Sequence, residues 1–455
     1  MKIAVVGAGI TGLVAAYRLR LALGPDAEIV VADAGDRVGG KLHSARLTSG
    51  MVDVGAEAFV SRRPEVPALL SELGLADQLV RPSGARPLIR SGGALHPLPV
   101  GTLMGIPATA DSVRGLVDDA TYRQIATEAT RPLHWTRGDD LSVGELVSAR
   151  FGSQVVARSV DPLLGGVYSG LASSIGVRAA VPPLAAALDA GAASLTHAVT
   201  AALPLPVPGP VFGGIRDGYG VLLRALVEAA GATVLTGTSV GVIERASTGW
   251  TVNPIGPVDG VVVCTPAPEA ARVIGSVVPA AASELAQIRL ASSVLVALAF
   301  DDVELPNNSG VLVATGEPGD DGKPLRAKAF TLSSRKWPHL ADRGVPLVRC
   351  SFGRFGDDAI VEMADADLVA TAREDLGTVL GVTAAPTDTV VQRWRGGLPQ
   401  YAPGHTERVR AIVEAVDASP GIEVAGAYLH GVGVPACIAS GTRAAQRLAE
   451  ALAEQ

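Results

Sequence analysis

The chain opens on a short all-apolar run, Ile3-Ala-Val-Val6. Gly7-Ala-Gly-Ile-Thr-Gly12 follows, and then the apolar-rich Leu13-Val-Ala-Ala-Tyr-Arg-Leu19. A brief continuous apolar run marks a strand buried on both faces, and a longer recurrence marks a helix. The pattern predicts strand, glycine turn and helix, and a second strand, Glu28-Ile-Val-Val-Ala32, completes a βαβ unit. From Pro64 the apolar positions Val66, Leu69, Leu70, Leu73 and Leu75 take helical spacing. Residues 110–200 read as mainly helical, interrupted by a loop at Asp161-Pro-Leu-Leu-Gly-Gly-Val-Tyr168. Pro204, Pro206, Pro208 and Pro210 predict an extended linker, because proline cannot continue a helix. Short β runs return at Thr233–Leu235, Gly241–Ile243, Gly260–Thr265, Ser292–Phe300 and Leu347–Phe352. Asp365–Leu380 reads as a helix stopped by Gly381. The chain closes with a strand at Glu423–Gly426, a glycine-rich loop over Ala427–Val434 and a helix over Ala436–Leu452. Pro435 stands at its first helical position.

This order predicts an α/β plus α+β protein with a Rossmann-like dinucleotide-binding domain drawn from both chain ends. The expected division is 1–62, 211–282 and 390–455 for that domain, 63–85 and 283–389 for a substrate-binding domain, and 86–210 for a mainly helical domain. A chain of 455 residues has room for two or three domains. Its hydrophobic share of 48% supports a large core, with Ala, Gly and Val rather than aromatics carrying the load. A net charge of −7 argues against nucleic acid as a partner. Cys264, Cys350 and Cys437 are widely spaced and odd in number, and the histidines are scattered. Neither a disulfide framework nor a metal site is expected, and the reading is a reducing, cytoplasmic compartment. The sequence holds no clean apolar run of about 18 residues, so no spanning helix is expected. A peripheral membrane contact through the apolar middle of the chain remains compatible.

The glycine turn carries the first chemistry. Glycines let the backbone turn tightly, and the helix N-terminus behind them suits a pyrophosphate. Asp33 closes the second strand about twenty residues on, where a ribose-binding carboxylate belongs. The turn alone leaves NAD(P) and FAD open. Its place at the N-terminus, the doublet Gly39-Gly40 with basic neighbours Arg37 and Lys41, and the late strand–loop–helix favour FAD.

Several segments in order carry a family resemblance. They are Gly165-Gly-Val-Tyr-Ser-Gly170, Ser333-Ser-Arg-Lys-Trp-Pro338, Arg393-Trp-Arg-Gly-Gly-Leu-Pro-Gln-Tyr401 running on to Gly404-His405, and Gly426-Ala-Tyr-Leu-His-Gly-Val-Gly-Val-Pro-Ala-Cys-Ile-Ala-Ser-Gly441. Nearly end to end, the chain resembles the FAD-containing protoporphyrinogen/coproporphyrinogen oxidase family, within the amine-oxidase-like flavoproteins. The resemblance implies that Gly7, Ala8, Gly9, Ile10, Thr11 and Gly12 cradle the pyrophosphate, with Asp33 and Ala34 at the ribose. The family often has Glu where this chain has Asp33. Gly40, Lys41, Gly55, Ala56, Glu57 and Ala58 would lie along the diphosphate and flavin, Val240 at the adenine, and Trp394, Val432, Gly433 and Val434 near the isoalloxazine. Arg86 resembles a position linked to a substrate propionate, with Arg90 and Arg178 as further candidates.

The implied reaction is the six-electron oxidation of a porphyrinogen, with O₂ as acceptor and hydrogen peroxide as by-product, in haem biosynthesis. The absence of a targeting peptide resembles the bacterial branch that takes coproporphyrinogen III; protoporphyrinogen IX is the alternative. A ferrochelatase is a candidate partner. No catalytic residue declares itself: Tyr168, Lys336, Tyr401, His405 and His430 read as structural. A flavin amine oxidase is the competing enzyme, although its lysine near the flavin would fall at Ser292 or Ser293 here. A carotenoid desaturase and a non-catalytic FAD-binding protein are weaker alternatives.

Overall fold

A computed structural model describes residues 1–205 and 208–454. Five parallel strands form its first sheet, in the order Thr233–Leu235, Glu28–Ala32, Lys2–Val6, Gly260–Val263 and Ile422–Val424. Both faces are covered, so the central strands carry unbroken apolar runs, Ile3–Val6, Ile29–Ala32 and Val261–Val263, instead of alternating. Ile3 and Val5 point into the core shared with helices Ile10–Leu23, Tyr219–Ala230 and Val434–Ala453. Ala4 and Val6 point the other way, into the core built with helices Ala267–Ile274, Pro279–Ala286 and His405–Asp417. The sheet thus draws strands from both ends and from the middle of the chain.

The second sheet has seven strands, ordered Asp388–Pro399, Leu290–Ala299, Leu347–Phe352, Ala327–Leu332, Gly310–Val313, Leu88–Ser91 and Ala94–Pro97. Only the pair of Gly310–Val313 with Leu88–Ser91 is parallel. Residues 390–399, expected with the nucleotide unit, lie in an edge strand here. Leu88–Pro97, expected with the helical unit, supplies the other edge. The strands that tie them into this sheet, Leu290–Ala299 and Gly310–Val313, are distant in sequence. Helix Asp365–Leu380 packs on this sheet and ends at Gly381, φ +70, as its glycine stop predicts.

Short helices between 119 and 202 share a third core. Polar caps set their starts: Asp118 accepts from the Thr121 amide, Ser142 and Glu145 form a capping box, and Ser194 accepts from the His197 amide. The loop expected at 161–168 is instead the helix Asp161–Tyr168, entered through a π-helical turn at Val156–Val160. Pro162 sits in its first turn, where a missing N–H costs nothing, and buried Leu164 and Tyr168 outweigh the glycines between them. Of the proline linker, Pro206 lies outside the described residues. Residues 203–205 and 208–210 form neither helix nor strand. Among the described residues, no helix is long and apolar enough to cross a membrane.

Candidate active site

Strand Lys2–Val6 delivers the chain to Gly7, whose φ of +105° suits glycine. Its amide donates to the Ala32 carbonyl at 2.7 Å, tying the turn to the second strand. A Cβ on Gly12 would lie 1.9 Å from the Gly7 carbonyl oxygen, so glycine there lets the helix begin against the turn. Gly9 differs: a Cβ added to it meets nothing within 4 Å. Helix Ile10–Leu23 begins at Gly9 with no side-chain cap and no acidic residue in its first turn. Its leading N–H groups and positive dipole end are left for an anion. The Asp33 carboxylate accepts from the Ala8 amide at 2.6 Å and the Gly35 amide at 2.8 Å, with Ala34 exposed beside it. The Thr238 amide donates to the Asp33 carbonyl, and buried Val240 follows, its carbonyl held by Arg272.

Gly39 and Gly40 close over this turn. The Gly39 amide donates to the Ala8 carbonyl at 2.7 Å, and a Cβ on Gly40 would sit 3.2 Å from the Gly9 Cα. Lys41 is open to solvent yet closely surrounded by protein. That surrounding lowers its ammonium pKa, with Cys437 and Asp33 opposing the shift. A Cβ on Gly55 would fall 2.1 Å from the Lys41 carbonyl oxygen and 3.2 Å from the Trp394 ring. The Trp394 indole donates to the Val54 carbonyl at 3.0 Å, and Arg37 lies 5.9 Å from its ring.

The C-terminal helix Val434–Ala453 begins at Gly433, again with no side-chain cap and no acid in its first turn. A Cβ on Gly441 would lie 2.3 Å from the Thr11 carbonyl oxygen, so glycine lets the two helices touch. Cys437, one turn into this helix, neighbours Thr11 and Lys41, so the two uncapped helix starts and the lysine converge. Tyr401 shapes the loop in front. Its hydroxyl donates to the Ala427 carbonyl at 2.5 Å and accepts from the Gly431 amide at 2.7 Å. His405 stacks on Tyr401 at 4.0 Å, and burial with nearby Arg408 pushes it down to about 4, so its ring is neutral near pH 7.

Below Gly55 lies a buried charged cluster. Glu57 accepts from the Ser333 hydroxyl at 2.6 Å and the Lys336 ammonium at 2.9 Å, with Arg349 at 3.2 Å. Burial alone would raise this carboxyl; Lys336 and Arg349 outweigh it and hold it well below the usual carboxylate range. Asp53, close by, accepts from Ser44 and the Tyr219 amide, yet burial pushes it up to about 6. A cavity of about 20 Å³ is lined by Asp53, Glu57, Trp337, His339 and Arg349, among others. Trp337 Nε1, His339 Nδ1 and Arg349 Nε, all buried, have no partner among the described residues, and the space suffices for one water.

The model of the flavin-containing amine oxidoreductase family matches residues 10–449. The chain belongs to this family. It is similar to the coproporphyrinogen III oxidase of Mycobacterium leprae, at 49% identity over 98% of this chain and 97% of that protein. The human protoporphyrinogen oxidase is 27% identical over 97% of each chain. A crystal structure from Exiguobacterium sp. 255-15, provisionally described as a protoporphyrinogen oxidase, is 29% identical. It superposes with a TM-score of 0.85 over 100% of this chain and 99% of that one. The resemblance drawn from the order of the motifs therefore holds. The family's flavin and the dinucleotide fold around Gly7–Gly12 together make the cofactor FAD. The residues fit it: an open space at Gly9 beside one uncapped helix start, a second uncapped start at Gly433, and Gly55, where a Cβ would crowd the Lys41 carbonyl and the Trp394 ring.

Within this family member, the three arginines picked from the sequence differ in availability. Arg178 is committed to protein: it makes two 2.8 Å bonds to Asp189 and one to the Asp139 carbonyl, and lies over Trp135. Arg90 is ion-paired with Glu317 at 3.5 Å. Arg86 is exposed. Ser293 pairs with Trp394 across a bulge, and the Ser292 hydroxyl accepts from the Gly396 amide, so this stretch of the strand holds serines rather than lysine. The Glu57–Lys336–Arg349 cluster was not visible in the sequence as a unit. Glu57 lies far along the chain from both cations, and no spacing rule links them.

Proposed function

We propose that the chain oxidises coproporphyrinogen III to coproporphyrin III, with O₂ as acceptor and hydrogen peroxide as by-product, in haem biosynthesis. The observation that carries this reading is the near-full-length 49% identity to a coproporphyrinogen III oxidase, against 27% to the human protoporphyrinogen oxidase. When bound, FAD accepts two electrons at a time, so a six-electron oxidation takes three cycles. In this reading the five-stranded unit is the FAD-binding domain, the seven-stranded sheet belongs to the substrate domain, and the helical unit covers the substrate.

The chain's own residues bind and orient. The amides at Gly9–Gly12 and the start of helix Ile10–Leu23 hold the diphosphate, with Ala8 held in place by Asp33. Asp33 keeps acceptor capacity for a ribose hydroxyl, and Ala34 and Val240 border the adenosine. Gly40, Lys41, Gly55, Ala56, Glu57 and Ala58 wall the flavin, and Glu57, fixed by Lys336 and Arg349, stiffens that wall. Trp394 and Val432–Val434 close it, and the uncapped helix at Gly433 favours negative charge accumulating on the cofactor. Porphyrinogen and O₂ are the reaction partners. A ferrochelatase and a peripheral membrane contact are the further partners in this reading.

Purified, FAD-loaded protein is given each porphyrinogen in air while porphyrin fluorescence and peroxide are followed. The expected result is faster turnover of coproporphyrinogen III, with about three peroxides per porphyrin. Faster turnover of protoporphyrinogen IX, or none of either, overturns the reading.

A further inference from the structure

Coproporphyrinogen III carries four propionates, so its site needs cations that are not spent inside the protein. Arg178 and Arg90 are spent on Asp189 and Glu317. We propose that Arg354, backed by the buried Lys328, anchors a propionate carboxylate of the substrate; this deepens the coproporphyrinogen reading and rests on it.

Position comes first. Arg354 follows strand Leu347–Phe352 through Gly353, φ +82. A Cβ on Gly353 would lie 2.8 Å from the Ser292 carbonyl oxygen and 3.0 Å from the Ser293 Cα, and Ser293 pairs with Trp394. On the other side, the Arg354 Nε is 3.9 Å from where a Cβ on Gly165 would be. The guanidinium therefore stands between the Gly165–Gly170 segment of the helical unit and Val313 of the seven-stranded sheet, and the backbone that carries it abuts the strand that faces Trp394.

Charge comes second. Lys328 is 5% exposed, and its ammonium donates to the Ser169 hydroxyl at 2.6 Å and the Gly353 carbonyl at 2.7 Å. Arg354 donates to the Val313 carbonyl at 3.2 Å. Among the described residues its buried Nε has no acceptor. Among the described residues, neither cation is within ion-pair distance of a carboxylate. Asp161 and Asp357 lie farther off, and the Asp161 carboxylate already accepts from the Ala172 amide. Burial, and then the neighbouring Arg354, push Lys328 down to about 7. Two like charges held together away from water are unfavourable until an anion joins them. A carboxylate can take two parallel bonds from a guanidinium, and this is the geometry arginine offers. Lys328 is then a positioning residue: it fixes Ser169 and Gly353 on either side of Arg354 and adds positive field.

The test uses FAD-loaded protein and two probes, coproporphyrin III and its uncharged tetramethyl ester, titrated by porphyrin fluorescence, with steady-state kinetics on coproporphyrinogen III alongside. In Arg354→Leu, binding of the acid should weaken about 10- to 100-fold, the worth of a buried charge-assisted bond, while the ester is unaffected. KM should rise with kcat changed less than about threefold. Arg354→Lys should recover part of the acid affinity, and Lys328→Met should show a smaller loss of the same selectivity. Should the leucine variant not fold, Arg354→Gln, which can still donate to Val313, takes its place. Equal losses for acid and ester, or no loss in a folded FAD-loaded variant, overturn the proposal. If the wild-type chain fails to oxidise coproporphyrinogen III, the functional reading falls, and acid-against-ester binding still decides the role of Arg354.

Discussion

Gly9 and Gly12 stand one helical turn apart and should fail in opposite ways. A Cβ at residue 12 would lie 1.9 Å from the Gly7 carbonyl oxygen, well inside van der Waals contact. The backbone must shift by about 1 Å to admit it, and such overpacking costs about 1–3 kcal/mol. Gly12→Ala should therefore destabilise the apoprotein by that amount and weaken FAD as a consequence. A Cβ at residue 9 meets nothing within 4 Å, and Gly9 has φ −68°, which alanine adopts readily. Gly9→Ala gives up a preferred N-cap residue and should cost the apoprotein less than about 1 kcal/mol. Yet its methyl enters the space beside the uncapped helix start, where the diphosphate belongs. FAD affinity should fall at least about tenfold, or 1.4 kcal/mol. Urea unfolding of the two apoproteins and flavin-fluorescence titration of each separate the effects. If Gly9→Ala destabilises the apoprotein as much as Gly12→Ala does, or leaves FAD affinity unchanged, the diphosphate does not lie against Gly9.

Glu57→Gln removes the anion from a cluster whose side chains are 8–19% exposed, leaving Lys336 and Arg349 facing each other. Urea unfolding at pH 7 should show a loss of about 3 kcal/mol, at the low end for a broken buried pair. Because the folded Glu57 carboxyl is held below its ordinary value of 4.5, its contribution is complete above that pH. The contribution fades as pH falls, so the variant should lose less stability than wild type on acidification. Asp53 has the opposite sign: raised from 3.8 to about 6, it favours the protonated folded state, and stability is lost as pH rises through that window. Asp53→Asn, which mimics the neutral acid, should match or exceed wild type at pH 7 by about 1–2 kcal/mol in the same assay; a clear loss refutes the assignment. Tyr401→Phe strands the Gly431 amide and the Ala427 carbonyl. It should cost about 1–3 kcal/mol and speed FAD release, whereas unchanged release kinetics would separate this loop from the cofactor.

The parts legible in the sequence are those whose causes are local. Ile3–Val6, the glycine turn and Glu28–Ala32 are buried strands and a helix start because of residues next to one another. Asp365–Leu380 stops at Gly381 for the same reason. The helix Asp161–Tyr168 has the local sequence of a loop, a proline and two glycines, and forms because Leu164 and Tyr168 are buried by tertiary packing. Arg178 looked available because nothing in the sequence marks Asp189 as its partner. The Glu57 cluster and the Lys328–Arg354 pair are assembled by strands and loops remote in the chain, and no periodicity reports them.

One measurement bears most directly on the central claim. FAD-loaded protein is mixed with coproporphyrinogen III in the absence of O₂, and the oxidised-flavin absorbance is followed in a single turnover. The expected result is rapid bleaching, faster than with protoporphyrinogen IX and absent with a primary amine, with full recovery of the flavin on admitting air. Bleaching by the amine but not by the porphyrinogen would contradict the claim and make the chain an amine oxidase.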